Sequence, residues 1–248
     1  MSGHILFAIL LPFLGTALGA GGVFFLRQNT CPAAHRALTG FAAGIMTAAS
    51  VWSLLIPAIH QASGWGKLAF VPAAAGVWLG TAGLSLLSRF QRPLWDCPGG
   101  TSLMVTAVAI HNLPEGMAVG VVAAAWLAGV GGIGEGEVLA LSLGVAIQNL
   151  PEGAVVSMPL NKAGMGRWRA FGAGIASGVV EPLGALGALC LAPLAELLLP
   201  WMLGFAAGAM LWVVAAELLP EAAEEGSLGA IWFILGFTVM MVLDVSLG

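Results

Sequence analysis

Eight stretches of about twenty mostly apolar residues, the length that crosses a bilayer as a helix, follow one another with only short polar breaks. They cover roughly 5–26, 36–59, 68–88, 102–128, 137–160, 168–193, 197–219 and 228–247. A segment of that kind satisfies its backbone hydrogen bonds within itself as a helix. Composition agrees: 59% of the 248 residues are hydrophobic and only 8% charged, against about 25% charged in soluble domains. The sequence therefore predicts an all-α integral membrane protein with eight transmembrane helices, forming a single transmembrane domain over residues 1–248. The first run, in MSGHILFAILLPFLG, lacks the cationic flank of a signal peptide and is expected to remain as a span.

The eight Lys and Arg residues orient these spans. Arg27, Arg36, Arg89, Arg92, Lys162, Arg167 and Arg169 fall at alternate loops, and Lys67 alone falls on the opposite side. Cations concentrate on the cytoplasmic side, so both termini are expected outside. The acidic stretch EAAEEGS at 221–227 then lies in the cytoplasm without conflict, because acidic residues contribute little to that rule. Eight scattered cations make no basic surface for nucleic acid. Cys31, Cys97 and Cys190 show no metal or redox spacing and are expected to be reduced and structural.

Two internal echoes organise the chain further. HNLPEGMAVG at 111–120 recurs as QNLPEGAVVS at 148–157, and GFAAGIM at 40–46 recurs as GFAAGAM at 204–210. Spans four and five run in opposite directions, as do spans two and seven. This predicts an inverted three-plus-two-plus-three repeat, an arrangement that places substrate near the bilayer midplane at the repeat interface.

The repeated motif holds the least lipid-compatible residues of the chain. His111 and Glu115 lie one helical turn apart on one face, with Asn112 to the side. Gln148, Asn149 and Glu152 repeat that pattern, and Glu181 adds a third intramembrane carboxylate in GVVEPLG. Unpaired carboxylates at the bilayer centre cost several kcal/mol. Pro114 and Pro151 also deprive the carbonyls of Ile110 and Ile147 of their helical partners. One imidazole, three carboxylates, three amides and freed carbonyls suit a divalent cation, Zn²⁺ first, with Mn²⁺, Fe²⁺ and Cd²⁺ compatible. The cation's charge would let the three carboxylates stay ionised together. The alternative use of such groups is mutual hydrogen bonding that stitches helices together. His60, Glu217 and Asp244, near the ends of spans two, seven and eight, are candidates for a pathway or an auxiliary metal position.

HNLPEG, QNLPEG and VVEPLG, together with FAAGIMTAASVWSLLIPA, FAAGAMLWVVAAELLPE and MMVLD, resemble the ZIP family of divalent metal transporters, and most of all its GufA-like branch. The similarity covers nearly the whole chain. It implies eight helices around a binuclear metal site. One position would use His111, Glu115, Gln148 and Glu152; the second would use Asn112, Asn149 and Glu181, with Glu152 as a bridge. It further implies movement of Zn²⁺ or related metals towards the cytoplasm as one helix bundle slides against another, and frequent pairing as homodimers. Three departures stand out. Asn149 replaces an aspartate of some relatives, which removes a charge from the second position. His60 and Ala216 stand where close relatives often have a carboxylate and a His or acid, respectively. SRFQRPLWDCPGG carries no histidine, unlike the His-rich cytoplasmic loop of many relatives.

The expected function is import of divalent metal across a plasma membrane, the inner membrane if the source is bacterial, with the bilayer and the metal as partners and no cofactor beyond the transported ion. No Walker-type sequence suggests ATP coupling. An intramembrane metallohydrolase is the rival class, but one histidine and two H/Q-N-L-P-E copies offer no H-E-x-x-H arrangement of three ligands and a general base. A metal sensor that does not transport is the third reading.

Overall fold

The computed structural model describes residues 3–25, 32–89, 102–130, 132–190, 195–223 and 227–247. Arg27, Arg92, Cys31, Cys97, the end of the predicted sixth span (191–193) and the acidic pair Glu224 and Glu225 lie outside the described residues. Within them, eight helices are long and apolar enough to cross a membrane: α1 (Gly3–Phe25), α2 (Arg36–Gln61), α3 (Phe70–Arg89), α4 (Val108–Ala128), α5 (Glu135–Lys162), α6 (Arg167–Leu189), α7 (Leu198–Ala222) and α8 (Leu228–Leu247). The fourth begins as a helix at Ser102. These bounds agree with the sequence expectation to within a few residues, except where α4 and α6 are read over shorter spans.

Large apolar side chains face outwards, as a bilayer requires. Leu18, Phe25 and Trp78 are at least 70% exposed, and Ile231 and Ile234 over 60%. The polar residues of the repeated motif are inside instead. Burial of a polar interior by an apolar exterior is the arrangement expected when lipid replaces water around the protein.

The helices form two sets. The most extensive pairings are α1 with α5 and α4 with α6 in one set, and α2 with α8 and α3 with α7 in the other. Every pairing has its counterpart under the exchange of α1 with α6, α2 with α7, α3 with α8 and α4 with α5. This is the packing that an inverted repeat requires. Contacts of α4 with α7, and of α5 with α2 and α8, join the two sets.

Small residues determine how closely the first set packs. A Cβ at Gly116 would lie 2.0 Å from the carbonyl oxygen of Glu181, and one at Gly153 would lie 2.0 Å from that of Thr16. These are the final glycines of the two NLPEG copies. Each lets α6 or α1 approach backbone to backbone, the contact that small residues allow in membrane helices.

The repeat also explains a local irregularity. Both α2 and α7 widen into π turns, at Ser50–Leu55 and Val214–Leu218. The Ile56 amide donates to the Val51 carbonyl, and the Leu219 amide to the Val214 carbonyl. Pro57 and Pro220 follow immediately. A proline ring collides with the carbonyl four residues earlier in a regular α-helix. Lengthening the turn by one residue relieves that collision and rotates the side chains within it.

At the start of α5, the Gly134 amide donates to Glu137 Oε2 at 2.9 Å. Glu135 and Glu137 in the first turn, with Lys162 in the last, complement the helix dipole. His4 on α1 contacts Glu135, tying the two helices at the end assigned to the outside.

Candidate metal site

The repeated motif folds into the centre of the first helix set. His111, Asn112 and Glu115 come from α4, Gln148, Asn149 and Glu152 from α5, and Glu181 from α6. Asn112, Glu115, Gln148, Asn149 and Glu181 are fully buried and His111 nearly so, while Glu152 is partly exposed.

Their hydrogen bonds follow the repeat symmetry. Asn112 Nδ2 donates to the Ser177 carbonyl at 3.2 Å and to Glu181 Oε1 at 3.1 Å. Asn149 Nδ2, its counterpart, reaches the Pro12 carbonyl at 3.5 Å. Gln148 donates through Nε2 to Glu115 Oε1. Thr16 Oγ1 donates to Glu181 Oε1 at 2.6 Å. Each of these bonds joins helices of the same set.

What remains unpaired is the more informative part. Oδ1 of Asn112 and Asn149, Oε1 of Gln148, and Oε2 of Glu115, Glu152 and Glu181 are buried with no hydrogen-bond partner, as is Nε2 of His111. A buried polar atom left unsatisfied costs about 1–3 kcal/mol, more when charged, so unpaired atoms at this density are not explained by helix stitching. A region rich in orphaned oxygens from three carboxyl and three amide groups, with one ring nitrogen, has the chemistry of a cation site.

The site is not closed into a coordination shell. Among the described residues, no group of three or more His, Cys, Asp or Glu side chains is disposed to hold a metal ion. There is a physical reason. Glu115 is engaged by Gln148, and Glu181 by Thr16 and Asn112, so half of each carboxylate is turned to hydrogen bonds. Three of the seven donors are amides in any case.

The auxiliary candidates fall in two separate places. Glu217, in the π turn of α7, lies against the central site, with Oε2 2.9 Å from His111 Nε2. The two atoms are close but lack hydrogen-bond alignment. His60 and Asp244 instead line a polar cavity of about 190 Å³ with Trp52, Ser53, Val122 and Glu137. Ser53 Oγ donates to Asp244 Oδ1 at 2.6 Å.

Thr16 was not among the residues singled out from the sequence, although a signal existed. TALGA at 16–20 matches EPLGA at 181–185 at three of five positions. The inverted repeat makes Thr16 the counterpart of Glu181, and the two meet.

The family model described as ZIP Zinc transporter matches residues 100–244. This chain belongs to the ZIP family. Among similar proteins, zinc transporter GufA of Myxococcus xanthus is 36% identical over 94% of this chain and 96% of its own length. Zinc transporter ZIP11 of Homo sapiens is 35% identical, with 94% of each chain covered. Zinc transporter ZIPB of Bordetella bronchiseptica is 35% identical over 99% of this chain and 82% of its own. The GufA-like character read from the motifs is borne out by these relatives. The ZIP protein is thus an integral membrane protein of a transporter family, and the hydrolase alternative loses its footing.

Proposed function

We propose that this ZIP protein imports divalent metal cations, Zn²⁺ foremost, across the plasma membrane into the cytoplasm. The observation that carries the reading is the set of unpartnered buried atoms contributed by His111, Asn112, Glu115, Gln148, Asn149, Glu152 and Glu181. The names of its relatives favour zinc as the cargo.

His111, Glu115, Gln148 and Glu152 form the first metal position. Nitrogen and oxygen ligands at about 2.0–2.2 Å suit Zn²⁺, and small rotations of Glu115 away from Gln148 complete the shell. Asn112, Asn149 and Glu181 form the second, with Glu152 bridging. Two of its ligands are neutral amides, so it holds metal less firmly than the first. The polar cavity lined by Ser53, His60, Glu137 and Asp244 attracts cations at the outer end of the path. Transport exposes the central site to each side in turn as the set α1, α4, α5 and α6 moves against the set α2, α3, α7 and α8. Intramembrane carboxylates are typical of such ion paths. The described residues form one transport unit on this reading. As a homodimer it pairs through lipid-exposed faces such as those of α3 and α8.

Metal uptake by proteoliposomes tests this. Wild-type protein is expected to accumulate Zn²⁺ or Cd²⁺, and protein with both His111→Ala and Glu152→Ala is not. Binding without uptake in the wild type would instead favour a metal sensor.

A further inference from the structure

The polar contacts described around the central site share a property: all but one stay within a single helix set. Thr16–Glu181 joins α1 to α6, Asn112–Ser177 joins α4 to α6, Gln148–Glu115 joins α5 to α4, and Asn149–Pro12 joins α5 to α1. In the second set, Ser53–Asp244 joins α2 to α8, and Thr81 Oγ1 donates to the Gly208 carbonyl between α3 and α7. His111–Glu217 is the exception, because it joins α4 of the first set to α7 of the second. It does so through a residue in the π turn of α7.

We propose that Glu217 is a lock released by the cargo: it holds the two helix sets together through His111 Nε2, and metal bound at that nitrogen displaces it. The proposal rests on the central-site reading given above, and assigns Glu217 a positioning role rather than a ligand role. The argument has three parts. Nε2 offers one position, filled either by a proton that faces Glu217 or by a metal ion, so it serves one of the two at a time. A metal ligated by both His111 and Glu217 would bolt the two sets together and oppose their relative movement. Glu217 also differs from the buried carboxylates Glu115 and Glu181: its side chain is 34% exposed, which leaves it room to move aside when displaced. The empty carrier is then biased towards one arrangement and the loaded carrier is freed from that bias, while the return step that import requires stays open.

Reciprocity supplies a sign that separates a lock from a ligand. If bound metal weakens the Glu217 contact, that contact weakens metal binding by the same factor. Removing it should therefore tighten Cd²⁺ binding, whereas removing a ligand should weaken it. For a partly exposed contact the expected gain is about 1.5- to five-fold. The experiment uses full-length wild type, Glu217→Gln and Glu217→Ala, the glutamine variant keeping the side-chain volume. Cd²⁺ affinity and stoichiometry are measured by titration. In parallel, spin labels at Trp168→Cys and Leu86→Cys, exposed positions on α6 and α3, report the distance between the sets in protein with Cys31, Cys97 and Cys190 replaced by serine.

Both variants are expected to bind Cd²⁺ more tightly at unchanged stoichiometry. Their metal-free distance distribution should match that of the metal-loaded wild type. Weaker binding in both variants, or a metal-free distribution identical to that of metal-free wild type, overturns the lock. Absence of Cd²⁺ binding by the wild type instead overturns the central-site reading, while the metal-free distances still decide whether Glu217 holds the two sets together.

Discussion

Gly116→Ala should do more damage than its single methyl group suggests, and Gly187→Ala on the neighbouring helix provides the control. A Cβ at Gly116 would sit 2.0 Å from the Glu181 carbonyl oxygen, and 2.6 Å from its carbonyl carbon and Cα. These are backbone atoms, so no side chain can rotate away. To reach the 3.4 Å of ordinary contact, α4 and α6 must part locally by about 1.4 Å. Overpacking of this kind costs about 1–3 kcal/mol. The Asn112–Glu181 hydrogen bond, now 3.1 Å, would be pulled beyond bonding distance. At Gly187 a Cβ would meet nothing within 4 Å, so alanine there should gain about 0.5–1 kcal/mol of helix preference. Thermal unfolding in detergent, with Cd²⁺ titration of the same samples, checks both effects. Gly116→Ala is expected to melt earlier than wild type and to lose the weaker metal position, with the stronger position retained. Gly187→Ala should melt no earlier than wild type and bind normally. Equal melting and equal stoichiometry in the two variants would refute the claim that backbone contact at Gly116 sets the site.

Thr16→Val keeps the side-chain shape but removes the donor to Glu181 Oε1. It should lower stability by about 0.5–1.5 kcal/mol, the net worth of one hydrogen bond, since Asn112 still donates to that oxygen, as read by the unfolding midpoint of the metal-free protein. Asn149→Asp adds a charge to the second position and should tighten Cd²⁺ binding there; a titration with unchanged affinity and stoichiometry would count against a ligand role for Asn149.

Much of this arrangement is legible in the sequence because a bilayer leaves few alternatives. Span-length apolar runs can be little other than helices, and polar residues within them must turn inwards, so α4, α5 and the buried motif follow directly. The paired NLPEG copies also expose the repeat. Other features depend on contacts that a single segment does not carry. The π turns of α2 and α7 arise where Pro57 and Pro220 meet the helix, but proline alone equally permits a kink. Glu217 resembles a helix-end acid until the fold sets it against His111. Asp244 is paired with Ser53 rather than with Glu217, because the first two face one another across α2 and α8. Thr16 carries no charge and draws no notice until α1 is aligned with α6.

Metal flux into proteoliposomes tests the central claim most directly. With Zn²⁺ or Cd²⁺ outside, the wild type is expected to fill the vesicles, and the variant with His111→Ala and Glu152→Ala should match protein-free vesicles. Equal uptake by the two proteins would contradict the assignment of the path to these residues.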